Sequence, residues 1–289
     1  MDFIVQQVLT GLSIGSILLL IALGLAIIYG AMGVINLAHG EFVMLGAYTA
    51  WALQSFAGIG LLLGLPLIFL TVAGLGWLIE RLIIRHLYKR PLDTILATWG
   101  IGIMLQQIVR LLAGGELRYV QLPPSLDRAV SVLGQVTPVY RIFIFLMVAA
   151  LFGLTWFLIN RTPPGMKLRA VVQDPTIASC FGINAGRVYA ATFAYGAGLA
   201  GLAGALVAPL KSVSPEMGTA YVVDAFMVVV VGGVQSLFGA VISAALLGEA
   251  FAVLGFLSND TVAKAFVLLA VIVLIRFRPQ GLFASRVRA

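Results

Sequence analysis

From Ile4 to Tyr29 the chain carries no charged side chain, and a helix of that length covers about 39 Å at 1.5 Å per residue. The hydrocarbon core of a bilayer is about 30 Å thick, so this single run crosses it with some tilt. Comparable runs recur from a break near Asn36 to about Leu53, then over Gly60 to Ile79, Leu92 to about Ala113, and Val139 to Ile159. Four more cover Val188 to Leu210, Tyr221 to Val234, Phe238 to Phe256 and Val262 to Ile275. Backbone in lipid must satisfy its own hydrogen bonds, which leaves only helices or a closed barrel. Barrel strands alternate polar and apolar residues, and these runs do not. The sequence therefore predicts an all-α polytopic membrane protein, one domain over 1–289, with about eight or nine transmembrane helices. The lower number applies if Tyr221 to Val234 and the stretch around Asn36 are broken or re-entrant segments.

Composition excludes other classes. The chain is 61% hydrophobic and only 10% charged, far from a soluble domain. Its net charge of +7 would suit nucleic acid, but Lys and Arg sit at the ends of apolar runs, where they set orientation. Arg81, Arg85, Lys89 and Arg90 form one cluster; Arg161, Lys167, Arg169 and Arg187 a second; Arg276, Arg278, Arg286 and Arg288 a third. Five basic residues (Arg118, Arg128, Arg141, Lys211 and Lys264) fall on the other side, and Arg110 lies inside a run. Twelve against five puts the C-terminus in the cytoplasm and the N-terminus in the periplasm. Cys180 is the only cysteine, so no intrachain disulfide forms. The first run lacks a basic n-region and is too long for a cleavable signal peptide.

Polar residues inside apolar runs need partners or water. Asn36, His39 and Glu41 stand between Gly33 and Phe42. Gly33 and Gly40 let the backbone leave helical geometry there, as a broken helix lining a cavity or as a polar turn at the membrane face. The fourth run holds Thr98, Trp99, Gln106 and Gln107. Thr98 and Gln106 lie two turns apart on one face, and Trp99 points elsewhere. Asp224 and Glu249 lie in the later runs, to pair between helices or to line a path. Gly11-x-x-x-Gly15 and the series Gly196, Gly198, Gly201 and Gly204 mark faces for close backbone contact. The glycine-rich stretch Gly232 to Gly239 before Glu249 is a weak echo of the break before Glu41, as in transporters with duplicated halves.

Catalytic signals are sparse. There is no Gly-Lys dipeptide for a phosphate loop, no His-Glu-x-x-His, and only two histidines. No enzyme, metal or cofactor is expected. Uphill transport then draws on ion coupling through Glu41, Asp224 and Glu249, or on a partner ATPase. Residues 160–187 suit the partner. Pro163-Pro164-Gly165 reads as a turn and Met166 to Val172 as two turns of helix. Asp174 reads as the N-cap ahead of Pro175, and Gly182 as the stop of a second short helix. Two such amphipathic helices form a knob for another protein's groove, or lie on the lipid surface.

The blocks Gly33-Val-Ile-Asn-Leu-Ala-His-Gly-Glu-Phe, Thr162-Pro-Pro-Gly-Met-Lys-Leu-Arg-Ala with Phe181-Gly-Ile-Asn, and Gly232-Gly-Val resemble permeases of the branched-chain amino acid ABC importers, over nearly the whole chain and in the same order. Gln235 departs from the glycine usual in that family. Arg90 to Ile101 and Tyr221 to Val230 look closer to the urea branch of the family. The resemblance implies a permease subunit in the bacterial inner membrane, most simply for urea, with branched-chain amino acids or short amides as the alternative. It also implies a homologous second permease, two cytoplasmic ATPases and a periplasmic solute-binding protein as partners. Asp174, Pro175, Thr176, Ile177, Ala178, Phe181 and Gly182 then belong to the helix that couples to the ATPases, with Arg169 beside it. Asn36, His39, Glu41, Thr98, Trp99, Gln106, Asp224 and Glu249 are the candidates for the substrate path. A stand-alone secondary transporter or channel is the competing class, and transport without an ATPase distinguishes it.

Overall fold

The computed structural model describes every residue except 1, 89, 133, 235 and 284–289. Lys89, Arg286, Arg288 and the departure at Gln235 thus lie outside the described residues. Eleven α-helices follow in order among those described: α1 (Asp2–Met32), α2 (His39–Ala57), α3 (Leu61–Leu82), α4 (Pro91–Ala113), α5 (Val139–Arg161), α6 (Pro163–Gln173), α7 (Pro175–Cys180), α8 (Ala185–Val207), α9 (Met217–Gly232), α10 (Leu237–Leu257) and α11 (Asp260–Phe277). All but α6 and α7 correspond to the nine apolar runs. Six of the described helices are long and apolar enough to cross a membrane: α1, α3 with its short 3₁₀ extension, α4, α5, α8 and α10. Of the other three, α9 is apolar but short, α2 buries His39 and Glu41, and α11 carries Asp260, Lys264 and Arg276.

Helices α1 and α8 form the buried centre, whereas α3, α4 and α5 expose most of their apolar surface. In water those faces would be unsustainable; lipid or another apolar surface is their natural cover. Between helices in lipid, close packing replaces the hydrophobic drive. Gly11 and Gly15 of α1 lie against α10, where a Cβ on Gly15 would come within 2.8 Å of the Ala244 carbonyl oxygen. The α8 glycines do not share one face. Gly196 meets α1, Gly198 and Gly201 meet α3, and Gly204 meets the Val43 carbonyl of α2. At 100° per residue that spacing spreads them round the helix, so α8 is a hub with three close neighbours. Buried hydroxyls add cross-helix bonds: Tyr140 donates to the Leu206 carbonyl at 2.7 Å, Ser243 donates to that of Val228 at 2.8 Å, and Thr155 pairs with Tyr195 at 2.7 Å.

The 114–138 connection contains a small antiparallel hairpin of β1 (Ala129–Val132) and β2 (Gln135–Pro138), with Val132 opposite Gln135. Gly134 in the turn has φ +83°, a conformation that favours glycine. The connection is fastened to the bundle at several points, among them a backbone bridge between Arg118 and Val213. Gln54 accepts from the Gln121 amide at 2.7 Å and donates to its carbonyl at 3.1 Å. Arg118 lies over Trp51, 4.8 Å from the ring centre.

Candidate functional site

α1 stops at Met32 because Gly33 takes φ +65° while its amide still bonds the Tyr29 carbonyl, a left-handed helix end. Residues 33–38 are not helical, and α2 begins at His39. The break is buried rather than placed at a solvated face: Asn36 and His39 are fully buried and Glu41 nearly so. Asn36 folds back to accept from the Ala38 amide at 3.0 Å. The Leu37 amide bonds Thr98 Oγ1 at 3.1 Å, which ties the break to α4.

His39 Nε2 lies 2.9 Å from the Ile21 carbonyl oxygen. A carbonyl only accepts, so Nε2 carries the proton and Nδ1 presents a lone pair. Glu41, in the first turn of α2, sits where the helix dipole favours a negative charge. Its Oε1 accepts from Gln106 Nε2 at 2.8 Å, and the same amide reaches Thr219 Oγ1 at 3.1 Å. Gly218 makes room for the carboxylate, since a Cβ there would stand 2.7 Å from Glu41 Oε2. Among the described residues, Asn36 Nδ2, His39 Nδ1 and Glu41 Oε2 have no hydrogen-bond partner. Buried polar atoms are usually paired, so three unpaired ones within six residues single out this break among the described residues.

The structure thus brings Asn36, Glu41, Thr98 and Gln106 into one polar seam of the 33–38 break, α2 and α4, while the His39 ring turns to α1, against the Ile21 carbonyl and Gly24. It adds Thr219 from α9, which precedes the apolar run Tyr221 to Val234 in the sequence. A short apolar helix gives little signal of where it begins, and that hid Thr219. The other path candidates do not join the seam. Trp99 is 58% exposed on the far side of α4, as its adjacency to Thr98 requires, and Gln107 is exposed as well. Asp224 pairs with Lys264 of α11 at 2.8 Å, and Glu249 of α10 is half-buried against Gly11 of α1. Arg110, the basic residue inside a run, reaches Glu216 at 2.5 Å beside the α9 N-terminus.

Gln106→Leu removes the donor that the structure gives Glu41. A hydrogen bond to a charged group is worth about 1.5–3 kcal/mol, so the variant should unfold at a clearly lower temperature in detergent. An unchanged midpoint would show that Glu41 has another donor.

At the opposite end, α6 and α7 make the knob. Pro163 and Pro164 are not a turn; they occupy the first turn of α6, where a missing N–H costs nothing. Gly165 fits under them because a Cβ there would collide with the Leu158 and Ile159 carbonyls, and Arg169 bonds that Ile159 carbonyl. Asp174 Oδ1 accepts from the Thr176 and Ile177 amides at 2.7 and 2.9 Å, with Pro175 first in α7. Gly182 at φ +77° ends α7, and Asn184 caps α8 through the Arg187 amide at 3.0 Å. Val171 and Ala178 are buried, but Ile177 and Phe181 are 58% and 82% exposed. Nearby, Tyr88 donates to the buried Glu80 carboxylate and its ring meets Tyr189 of α8 at 5.1 Å. Burial, then the Glu80 contact, holds the Tyr88 phenol above its ordinary range, so it remains a donor at physiological pH.

A bundle with six helices long and apolar enough to span, a buried polar break and a capped knob fits a multi-pass membrane protein. The sequence matches the family model for the branched-chain amino acid transport system permease component over residues 7–276, and the chain belongs to that family. It is 34% identical to the high-affinity branched-chain amino acid transport system permease protein BraD of Pseudomonas aeruginosa, covering 96% of this chain and 94% of that one. LivH of Escherichia coli K12, described in the same words, is 33% identical over 94% of each chain. LivM of Salmonella typhimurium is 30% identical over 92% of this chain and 67% of its own. No solved structure matches the chain. Urea, expected from the resemblance of residues 90–101 and 221–230, does not appear in the descriptions of these relatives.

Proposed function

We propose that this chain is one of two homologous permease halves of an ATP-driven importer in the bacterial inner membrane, and that its cargo is a branched-chain or similarly apolar amino acid. The exposed pair Ile177 and Phe181 on the rigidly capped α7 carries the reading. An apolar tip held out on a basic loop needs a partner's groove, and cytoplasmic ATPases that close on nucleotide would move it. Residues 160–187 are the coupling loop, a solute-binding protein delivers cargo from the periplasm, and the polar seam around Glu41 lines the path. The cargo assignment follows the descriptions of BraD and LivH and replaces the urea expectation.

Uptake of labelled leucine and of urea in cells deleted for this gene tests both parts. Leucine uptake should fall and urea uptake should hold. The opposite pattern restores urea as the cargo. Uptake of either solute by the chain without any ATPase makes it a stand-alone transporter.

A further inference from the structure

Away from the seam, the ends of α1, α5, α9, α10 and α11 and the link after α8 enclose a cleft of about 460 Å³, a size typical of small-molecule sites. By the basic-loop orientation these are the periplasmic ends. α9 is the wall between cleft and seam. Its Tyr221 and Asp224 face the cleft, while Gly218 packs on Gly40 and Thr219 meets Gln106.

The charges in the cleft come from five residues: Arg141, Lys211 and Lys264 against Asp224 and Asp260. Asp224 is buried, bonded by Lys264 and within electrostatic reach of Lys211 as well. Arg141 makes one long contact, 3.5 Å to Thr10 Oγ1. The side chains of Lys211 and Asp260 make no hydrogen bond or ion pair among the described residues. Two lightly held cations and one free acid therefore face a wall that includes Ile14, Ile17 and Phe251. A neutral planar amide leaves all three charges unanswered. A purely anionic ligand meets Asp260 unfavourably. A carboxylate and an ammonium on one carbon, next to a branched hydrocarbon, answer every group.

We propose that this cleft is an outer receiving site for a free apolar α-amino acid. Arg141 and Lys211 hold its carboxylate, Asp260 its ammonium, and Ile14, Ile17 and Phe251 its side chain. The assignment rests on the amino-acid reading of the cargo. It adds a recognition step made by the permease itself, one that should disfavour urea, because charged groups left unpaired penalise the wrong ligand.

The test is equilibrium binding of tritiated leucine to the purified permease–ATPase complex without its solute-binding protein, in parallel with uptake by the complete importer. Wild type should bind leucine saturably, with displacement by valine and isoleucine and none by urea. Arg141→Gln and Asp260→Asn should each weaken leucine binding about tenfold or more, the scale of a lost charged hydrogen bond. Neither residue is buried, so both variants should co-purify with the ATPases as wild type does. 4-Methylpentanoate, which lacks the ammonium, should bind more weakly to Arg141→Gln and more tightly to Asp260→Asn, where the repelling carboxylate is gone. Leucine uptake with no saturable binding, or with binding unchanged in both variants, overturns the cleft and leaves the cargo reading standing. Urea uptake without leucine uptake removes the cargo reading, and the cleft assignment with it.

Discussion

Ile177→Ser combined with Phe181→Ser should cut uptake more than tenfold while the chain stays in the membrane at its normal level. A six-residue helix is too short to persist on its own. α7 persists because Asp174 satisfies two of its first amides, Pro175 presets its first turn, Ala178 is buried beneath it and Gly182 ends it. None of that support involves the side chain of Ile177 or Phe181, which are four residues apart and so share one face. Central apolar anchors of an interface cost about 2 kcal/mol or more each when truncated, and two of them exceed a factor of ten. Pro175→Leu and Gly182→Val reach the same end differently, by loosening the shape of the knob. Valine at φ +77° carries a penalty of roughly 1–2 kcal/mol. The measurement is labelled-solute uptake beside ATP hydrolysis in the reconstituted importer. Hydrolysis should lose its dependence on cargo. Wild-type uptake in all of these variants would take residues 160–187 out of the mechanism.

Gly204→Val should be the most damaging single change to the fold. A Cβ there collides with the Val43 carbonyl oxygen, and the Val43 carbonyl carbon at 2.7 Å and the Ala47 amide nitrogen at 3.1 Å leave no room beside it. These are backbone atoms, so relief requires α2 to move away from α8. Overpacking a tight core costs about 1–3 kcal/mol and occasionally more; here the helix that must shift carries Glu41. Membrane levels below a tenth of wild type are expected. Gly74→Val in α3 is the control, since nothing lies within 4 Å of a Cβ there. Equal abundance of the two variants would show that the α2–α8 contact does not govern assembly.

Much of this architecture is legible in the residues. Charge-free runs the length of a bilayer announce helices, and Asp174-Pro175 and Gly182 announce the limits of α7, because caps act within a few residues of chain. That Thr98 and Gln106 share a face follows from helical period alone. What depends on distant contacts is hidden. The Gly196 to Gly204 series suggests one contact face, but only the packed bundle shows three neighbours. Pro163-Pro164-Gly165 fits a turn and a helix start equally well until the Leu158 and Ile159 carbonyls are in place. Asp224, Glu249 and Glu41 look alike in sequence as acids in apolar runs. Three different environments, a lysine from α11, a glycine of α1 and an amide of α4, set them apart.

Only Phe181 to Asn184 separate α7 from α8, and α8 is the hub that touches α1, α2 and α3 through its glycines. A torque applied at α7 therefore enters the axle of the molecule instead of its rim. With no long tether to absorb the stroke, even a small tilt of α7 turns the element on which the other helices bear. The exposed faces of α4 and α5 can then ride along, free to match whatever surface surrounds them.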